Sequence, residues 1–329
     1  MSDDNLNSGS PIFEPFEIGN TTSLPGRRTR IEIPLARLPS ETWLSLPIEV
    51  LHGTEPGPTV WLSAAIHGDE LNGVEIIRQT LERIDVKRLA GVLIAVPVVN
   101  VFGFINQSRY LPDRRDLNRS FPGSAKGSLA ARVAHIFMSE VVTRCEFGID
   151  LHTGSNHRTN LPQIRGDMRD PRNRVRAEAF GVPVLIHSET RDGSLREACR
   201  KRGIPVLVYE AGEPLRFDDA AIELGVEGTL RVLATLRMLD TSPCNDRHAP
   251  REVSDSTWVR ARRGGIFRLR VGLGQHVGKR QPLGVIANAF GDQPMSATAP
   301  FDGIVIGHTN NPLVNQGDAL IHLARIASE

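Results

Sequence analysis

Thr59-Val60-Trp61-Leu62-Ser63-Ala64-Ala65-Ile66-His67-Gly68-Asp69-Glu70 passes from a largely apolar run into a glycine and two acids. Beyond it Leu71, Val74, Ile77, Leu81 and Ile84 recur at spacings of three and four, which predicts a helix with one buried stripe. A strand that turns straight into a helix is the opening of an α/β unit. The same alternation recurs down the chain, with strands expected at Val92–Val98, Phe147–Leu151, Val182–Ile186 and Pro205–Tyr209, and helices at Leu129–Val142, Pro171–Phe180, Ser194–Arg202 and Asp218–Leu239. An α/β domain over about residues 26–245 follows.

On either side of that domain the pattern changes. Residues 1–25 are rich in Ser, Asn and Gly without periodicity and read as a flexible arm. Residues 240–250 are polar with two prolines and read as a linker. Residues 251–329 alternate short strand-like runs with glycines and prolines, as a small all-β domain does.

Lys and Arg total 39 and Asp and Glu total 38, a net charge of +1, so no large field of one sign marks a nucleic-acid or membrane partner. Apolar residues at 40% and charged residues at 23% suit a soluble globular chain of 329 residues. The longest apolar stretch, Gly91–Val99, is far shorter than the roughly 20 residues a membrane span needs. The N-terminus lacks the basic start and apolar run of a secretory signal, so the cytoplasm is expected. Cys145, Cys199 and Cys244 are too sparse for a disulfide framework or a cysteine zinc cluster.

Chemistry concentrates at strand ends, where open α/β sheets place their sites. His67 and Glu70 lie three apart where the first strand becomes a helix, and Asp150-Leu151-His152-Thr153-Gly154 puts another histidine at the end of a second strand. An imidazole and a carboxylate can share one zinc ion, and a third ligand completes a site that keeps one open position. Each piece alone is a weak signal. In order along the chain they are joined by Asp116-Leu117-Asn118-Arg119-Ser120-Phe121-Pro122-Gly123 and by Tyr209-Glu210-Ala211-Gly212.

Over about residues 55–240 these four ordered motifs strongly resemble the succinylglutamate desuccinylase and aspartoacylase family, relatives of the zinc carboxypeptidases. The resemblance implies a carboxypeptidase-like mixed sheet flanked by helices, with His67, Glu70 and His152 holding one Zn²⁺ per chain and Glu210 as the catalytic carboxylate. It implies that Asn118 and Arg119 hold a substrate carboxylate, for which a guanidinium offers a matching fork. Asp116 would then orient His67 from behind. The family's carbonyl-polarising arginine falls among Arg109, Arg114 and Arg115; Arg109, beside Tyr110, is the choice. The remaining histidines lack companions at ligand spacing, though His157, five residues after His152, is placed to line the pocket.

The C-terminal stretch resembles the barrel-sandwich modules of biotinyl and lipoyl carriers through Gly274-Gln275-His276-Val277-Gly278, Ala299-Pro300-Phe301-Asp302-Gly303 and Asn315-Gln316-Gly317-Asp318. Its single lysine, Lys279, lies in a different turn from the carrier position, so a swinging arm is not expected. A lid or an assembly surface is the better reading, which leaves a homo-oligomer open. The function expected is a zinc-dependent deacylase acting on an N-acyl amino acid or similar small carboxylate. Two alternatives are a metallocarboxypeptidase acting on a peptide C-terminus and an inactive binding or regulatory homologue.

Overall fold

A computed structural model describes residues 14–244, 249–253 and 255–325. The N-terminal half carries β1 (Phe16–Ile18), β2 (Thr21–Ser23), β3 (Arg27–Arg37), β4 (Trp43–His52), β5 (Glu55–Ala64), α1 (Asn72–Arg83), β6 (Ala90–Val96), α2 (Val101–Ile105), α3 (Leu129–Glu140) and β7 (Phe147–His152). Next come β8 (Arg158–Gly166), α4 (Pro171–Phe180), β9 (Val184–His187), α5 (Leu195–Arg200), β10 (Val206–Gly212) and α6 (Asp219–Thr235). The C-terminal strands are β11 (Arg251–Val253), β12 (Ser256–Arg260), β13 (Gly265–Leu269), β14 (His276–Val277), β15 (Pro282–Ala287), β16 (Met295–Thr298), β17 (Gly303–Thr309), β18 (Leu313–Val314) and β19 (Ala319–Arg325).

Strands β10, β7, β5 and β6 pair in parallel and form the middle of a large mixed sheet. Their middle stretches, such as Val60–Leu62, Val92–Val96 and Val206–Tyr209, are apolar because both faces are covered. Val60, Leu62, Leu93, Ile149 and Leu207 pack with α1, α4 and α6, while Trp61, Ile94 and Val206 pack with α3 and α5 on the other face. Each such burial is worth roughly 1.5–3 kcal/mol. Trp61 has a specific requirement: a Cβ on Gly148 of the neighbouring strand would lie 2.1 Å from its ring, so only glycine lets β5 and β7 pair there.

Two departures from the sequence reading have simple causes. Within the expected arm, residues 14–25 include the β1–β2 hairpin, with Ile18 fully buried and Gly19 N–H donating to Glu140. Strands of three residues are too short to show a period; residues 1–13 lie outside the described residues. The long β3–β4 pair lies outside the expected strands, although Ile31, Ile33 and Leu35 alternate with exposed residues, the pattern of a strand wet on one face.

Residues 255–325 have a core of their own, including Phe267, Leu283, Val305, Leu320 and Leu323. A four-stranded antiparallel sheet, β16–β15–β13–β18, forms one of its layers. The other layer is not separate, because β17 pairs antiparallel with β8 and so extends the large sheet through β19 to β12. This junction brings the C-terminal strands to the edge of the cleft described next.

Candidate active site

The chain leaves β5 at Ala64 through a turn in which Ala65 has a φ of 47°, the left-handed region rarely used by non-glycine residues. Ala65 O accepts from Asn100 N–H at 2.9 Å, fixing the turn against the exit of β6. His67 and Glu70 follow before α1 begins. A Cβ on Gly68 would fall 1.9 Å from the Gly103 carbonyl carbon, so the loop lies directly on α2. His152 is the last residue of β7, and Glu210 on β10 stands directly opposite it in the parallel register. The residues read from three separate motifs therefore share one sheet edge.

His67 Nδ1 lies 2.7 Å from Glu70 Oε1, and His152 Nδ1 lies 2.7 Å from Glu70 Oε2. All three residues are buried, and their ligand-type atoms lie within 4.8 Å of one another. Behind them His67 Nε2 lies 3.3 Å from Asp116 Oδ1 and His152 Nε2 lies 2.8 Å from Asp150 Oδ2. Burial would raise the Glu70 carboxyl, but the charges of His67 and then His152 hold it well below the usual carboxylate range. Burial would likewise lower both imidazoles; Glu70 raises His67, and Asp150 followed by Glu70 raises His152 well above its ordinary value. Two imidazoles and one carboxylate converge on a point, each imidazole backed by a further carboxylate. That donor set suits a divalent cation such as zinc.

Around it lies a cleft of about 1010 Å³. Arg109 donates to Asp116 Oδ2 from Nε at 3.2 Å and Nη2 at 2.8 Å, and to Ser155 Oγ from Nη1 at 2.6 Å. Its Nη1 is 3.6 Å from Glu70. Ser155 in turn donates to Glu70 Oε1. Burial pushes Asp116 upward, yet His67 and then Arg109 hold it well below the carboxylate range. Asn118 Oδ1 accepts from Leu195 N–H at 2.9 Å, and Arg119 stands exposed on the cleft wall. Glu210 Oε2 accepts from Asn160 Nδ2 at 2.6 Å, and Oε1 lies 3.6 Å from Arg165 Nε.

Arg114 and Arg115 are exposed and do not line the cleft, nor does His157, which sits in an exposed turn with φ 60°. The sequence reading gave no role to Asp150, although a residue two before His152 on a strand points to the same side. Ser155, Asn160, Arg165 and the C-terminal residues Trp258, Arg260 and His322 also line the cleft. No local spacing announces those, because they arrive from the loop after β7, from β8 and from the C-terminal strands β12 and β19.

Residues 56–236 match the family described as the succinylglutamate desuccinylase/aspartoacylase catalytic domain. The chain is 26% identical over 307 residues to the N-alpha-acetyl-L-2,4-diaminobutyric acid deacetylase of Halomonas elongata, covering 85% of this chain and 86% of that protein. Among solved structures, a succinylglutamate desuccinylase/aspartoacylase from Rhodobacter sphaeroides superposes with a TM-score of 0.82 at 27% identity, covering 91% of this chain and 95% of that one. The product-bound ectoine utilization protein EutE (DoeB) from Ruegeria pomeroyi has the same fold, with a TM-score of 0.82 at 22% identity and the same coverage of 91% and 95%. No helix among the described residues is long and apolar enough to cross a membrane.

Proposed function

The chain belongs to the succinylglutamate desuccinylase/aspartoacylase family of deacylating hydrolases, and from that premise we propose that it is a zinc-dependent deacylase of an N-acyl amino acid or similar small carboxylate, acting in the cytoplasm. The observation that carries the reading is the meeting of His67, Glu70 and His152 beside Glu210 in one cleft.

In this reading His67, Glu70 and His152 would hold the ion, and Asp116 and Asp150 fix the tautomer and direction of the two imidazoles. Bound zinc supplies Lewis acidity toward an amide carbonyl and toward water. Glu210 takes the proton of the attacking water and returns it to the leaving nitrogen, a transfer that needs a carboxylate held still. Asn160 and Arg165 provide that restraint. Arg109, clamped by Asp116 and Ser155, presents a positive charge where the carbonyl oxygen gains negative charge. Asn118 uses its Oδ1 on Leu195 N–H, which leaves its Nδ2 donors, with the Arg119 fork, for a substrate carboxylate.

The test is product analysis by mass spectrometry, with zinc-loaded protein on N-acetyl, N-succinyl and N-formyl amino acids and on short peptides. Release of the short acid supports the deacylase. Release of a C-terminal residue from peptides instead would make the chain a carboxypeptidase, and a fully metallated protein that cleaves nothing would be a binding homologue.

A further inference from the structure

The C-terminal strands leave one side open. Among the described residues β16 pairs only with β15 and β12 only with β19, so each of the two layers ends there in an unpaired strand edge. A groove of about 410 Å³ runs between these edges. Val259 lines it from β12, Ile286, Met295 and Ala297 line it from β15 and β16, and the exposed Arg262 adds a positive charge. Strand edges that face water are ordinarily bulged, charged or covered. The Met295-Ser296-Ala297-Thr298 edge of β16 carries no charge, which leaves a cover as the protection it lacks within one chain.

The same strands carry an anchor that fits it. The tip joining β15 to β16, Asn288-Ala289-Phe290-Gly291-Asp292, is closed by its own hydrogen bonds: Asn288 Oδ1 accepts from Phe290 N–H at 3.0 Å and Asp292 N–H at 2.8 Å, and Asn288 O accepts from Gly291 N–H at 3.0 Å. Gly291 supplies the φ of 84° that this turn needs. Phe290 is 89% exposed on the tip. An aromatic ring on a turn already held in shape loses little freedom on docking and contributes a large apolar area. Asp292 beside it is exposed, and neither its carboxylate nor the Arg262 guanidinium makes a hydrogen bond or ion pair among the described residues. The tip thus offers a ring and a negative charge, and the groove an apolar floor and a positive charge. They are neighbours, because Ile286 and Met295, which pair across the hairpin behind the tip, both line the groove.

We propose that this face joins two copies of the chain, each seating its Phe290 in the other's groove and setting its Asp292 against the other's Arg262. A surface that carries an anchor and its receptacle side by side is self-complementary, as a two-fold contact requires. Both halves of the exchange form together, so the assembly closes at two copies and leaves no tip or groove to recruit a third. The contact also bears on the cleft. Thr257 and Trp258 of β12 line both the groove and the cleft, so the partner's tip would back the strand that forms part of the cleft wall.

The experiment is analytical ultracentrifugation of the full chain over a wide range of concentration. A reversible dimer is expected. Phe290→Ser should raise its dissociation constant about a hundredfold or more, since each dimer loses two central anchors. Arg262→Asp and Asp292→Arg should each raise it about tenfold, because each sets like charges face to face at both halves of the contact. The chain that carries both reversals restores opposite charges and should return close to the wild-type constant. All three side chains are exposed, so circular dichroism of the variants should match that of the wild type, and the charge reversals give the reading if Phe290→Ser does not fold. A chain that stays monomeric at every concentration would leave the groove to another occupant and overturn the proposal. So would an open series of larger assemblies, a dimer whose constant the folded Phe290→Ser variant leaves unchanged, or a doubly reversed chain that associates no better than the singly reversed ones.

Discussion

At the metal end of the cleft every charged group has an opposite behind it: Glu70 between His67 and His152, Asp116 and Asp150 behind the imidazoles, Arg109 against Asp116. At the other end stand Arg158, Arg165, Arg191 and Arg196, whose one ion-pair contact among the described residues is that of Arg165 with Glu210 at 3.6 Å. The first arrangement fixes side chains whatever is bound, as a centre that must position reacting atoms requires. The second leaves guanidinium charge facing the cleft, held by neutral oxygens and an aromatic ring more than by carboxylates. Glu210 belongs to both ends, since it faces His152 across the sheet register and Arg165 across the cleft.

The sharpest way to separate the two ends is therefore at Glu210. Glu210→Gln keeps size and polarity but cannot take a proton, so kcat should fall by roughly 10² to 10⁴. Zinc content, measured by atomic absorption, should not change. Near-normal turnover at full metal would move the proton-transfer role to another group and break the link between the ends.

Next in size is the support of the metal end. Asp150 Oδ2 holds His152 at 2.8 Å, and its Oδ1 accepts from Ser63 Oγ at 2.7 Å. Asp150→Asn should weaken metal affinity by about 10- to 100-fold, the usual effect of removing an outer partner of a ligating histidine. Competition with a chelator measures it. An unchanged affinity would mean that the compensation seen here does not serve a metal.

These two residues also mark how far the sequence could be read. The position of His67, Glu70, His152 and Glu210 at or just beyond apolar strand ends placed them on one sheet edge, since a parallel sheet gathers such ends, whereas their roles came only from the resemblance of four ordered motifs to the family. Asp150 was within reach of the same logic through its two-residue spacing from His152. The arginine end was not. Arg158 and Arg165 come from β8, Arg191 from a loop, Arg196 from α5, and the Trp258 and His322 beside them from β12 and β19. Trp258 and His322 reach the arginines because β17 pairs with β8, a contact between residues about 150 apart in the chain that no local period records. For the fold, the helices and parallel strands followed from their periodicity, whereas the short β1–β2 hairpin carried too few residues to show one.

A smaller effect is expected at the boundary between the two ends. Arg119→Ala removes a guanidinium that, among the described residues, donates only to the adjacent Asn118 carbonyl. KM for substrates bearing a carboxylate should rise by about tenfold, with kcat little changed, as for a uniformly used charge-assisted contact. Steady-state kinetics on an acid and on its amide analogue check this. Equal losses on both would place Arg119 in a structural role.

The least effect, and the one that reports on the arginine field itself, concerns His322. Its ring stacks on Trp258 with centroids 4.7 Å apart, and Nε2 meets Ser256 Oγ at 3.0 Å. Burial, followed by the charges of Arg165, Arg158 and Arg191, lowers it to about 3. An unfolded histidine takes up its proton near pH 6.5, so this group contributes stability that is complete above that pH and is lost as pH falls toward 3. Denaturant unfolding at pH 7.5 and 5.5 should show a loss of about 1 kcal/mol that His322→Gln removes, after allowance for water reaching the cleft. If wild type and His322→Gln lose the same stability over that interval, neither burial nor the neighbouring guanidiniums hold the ring neutral.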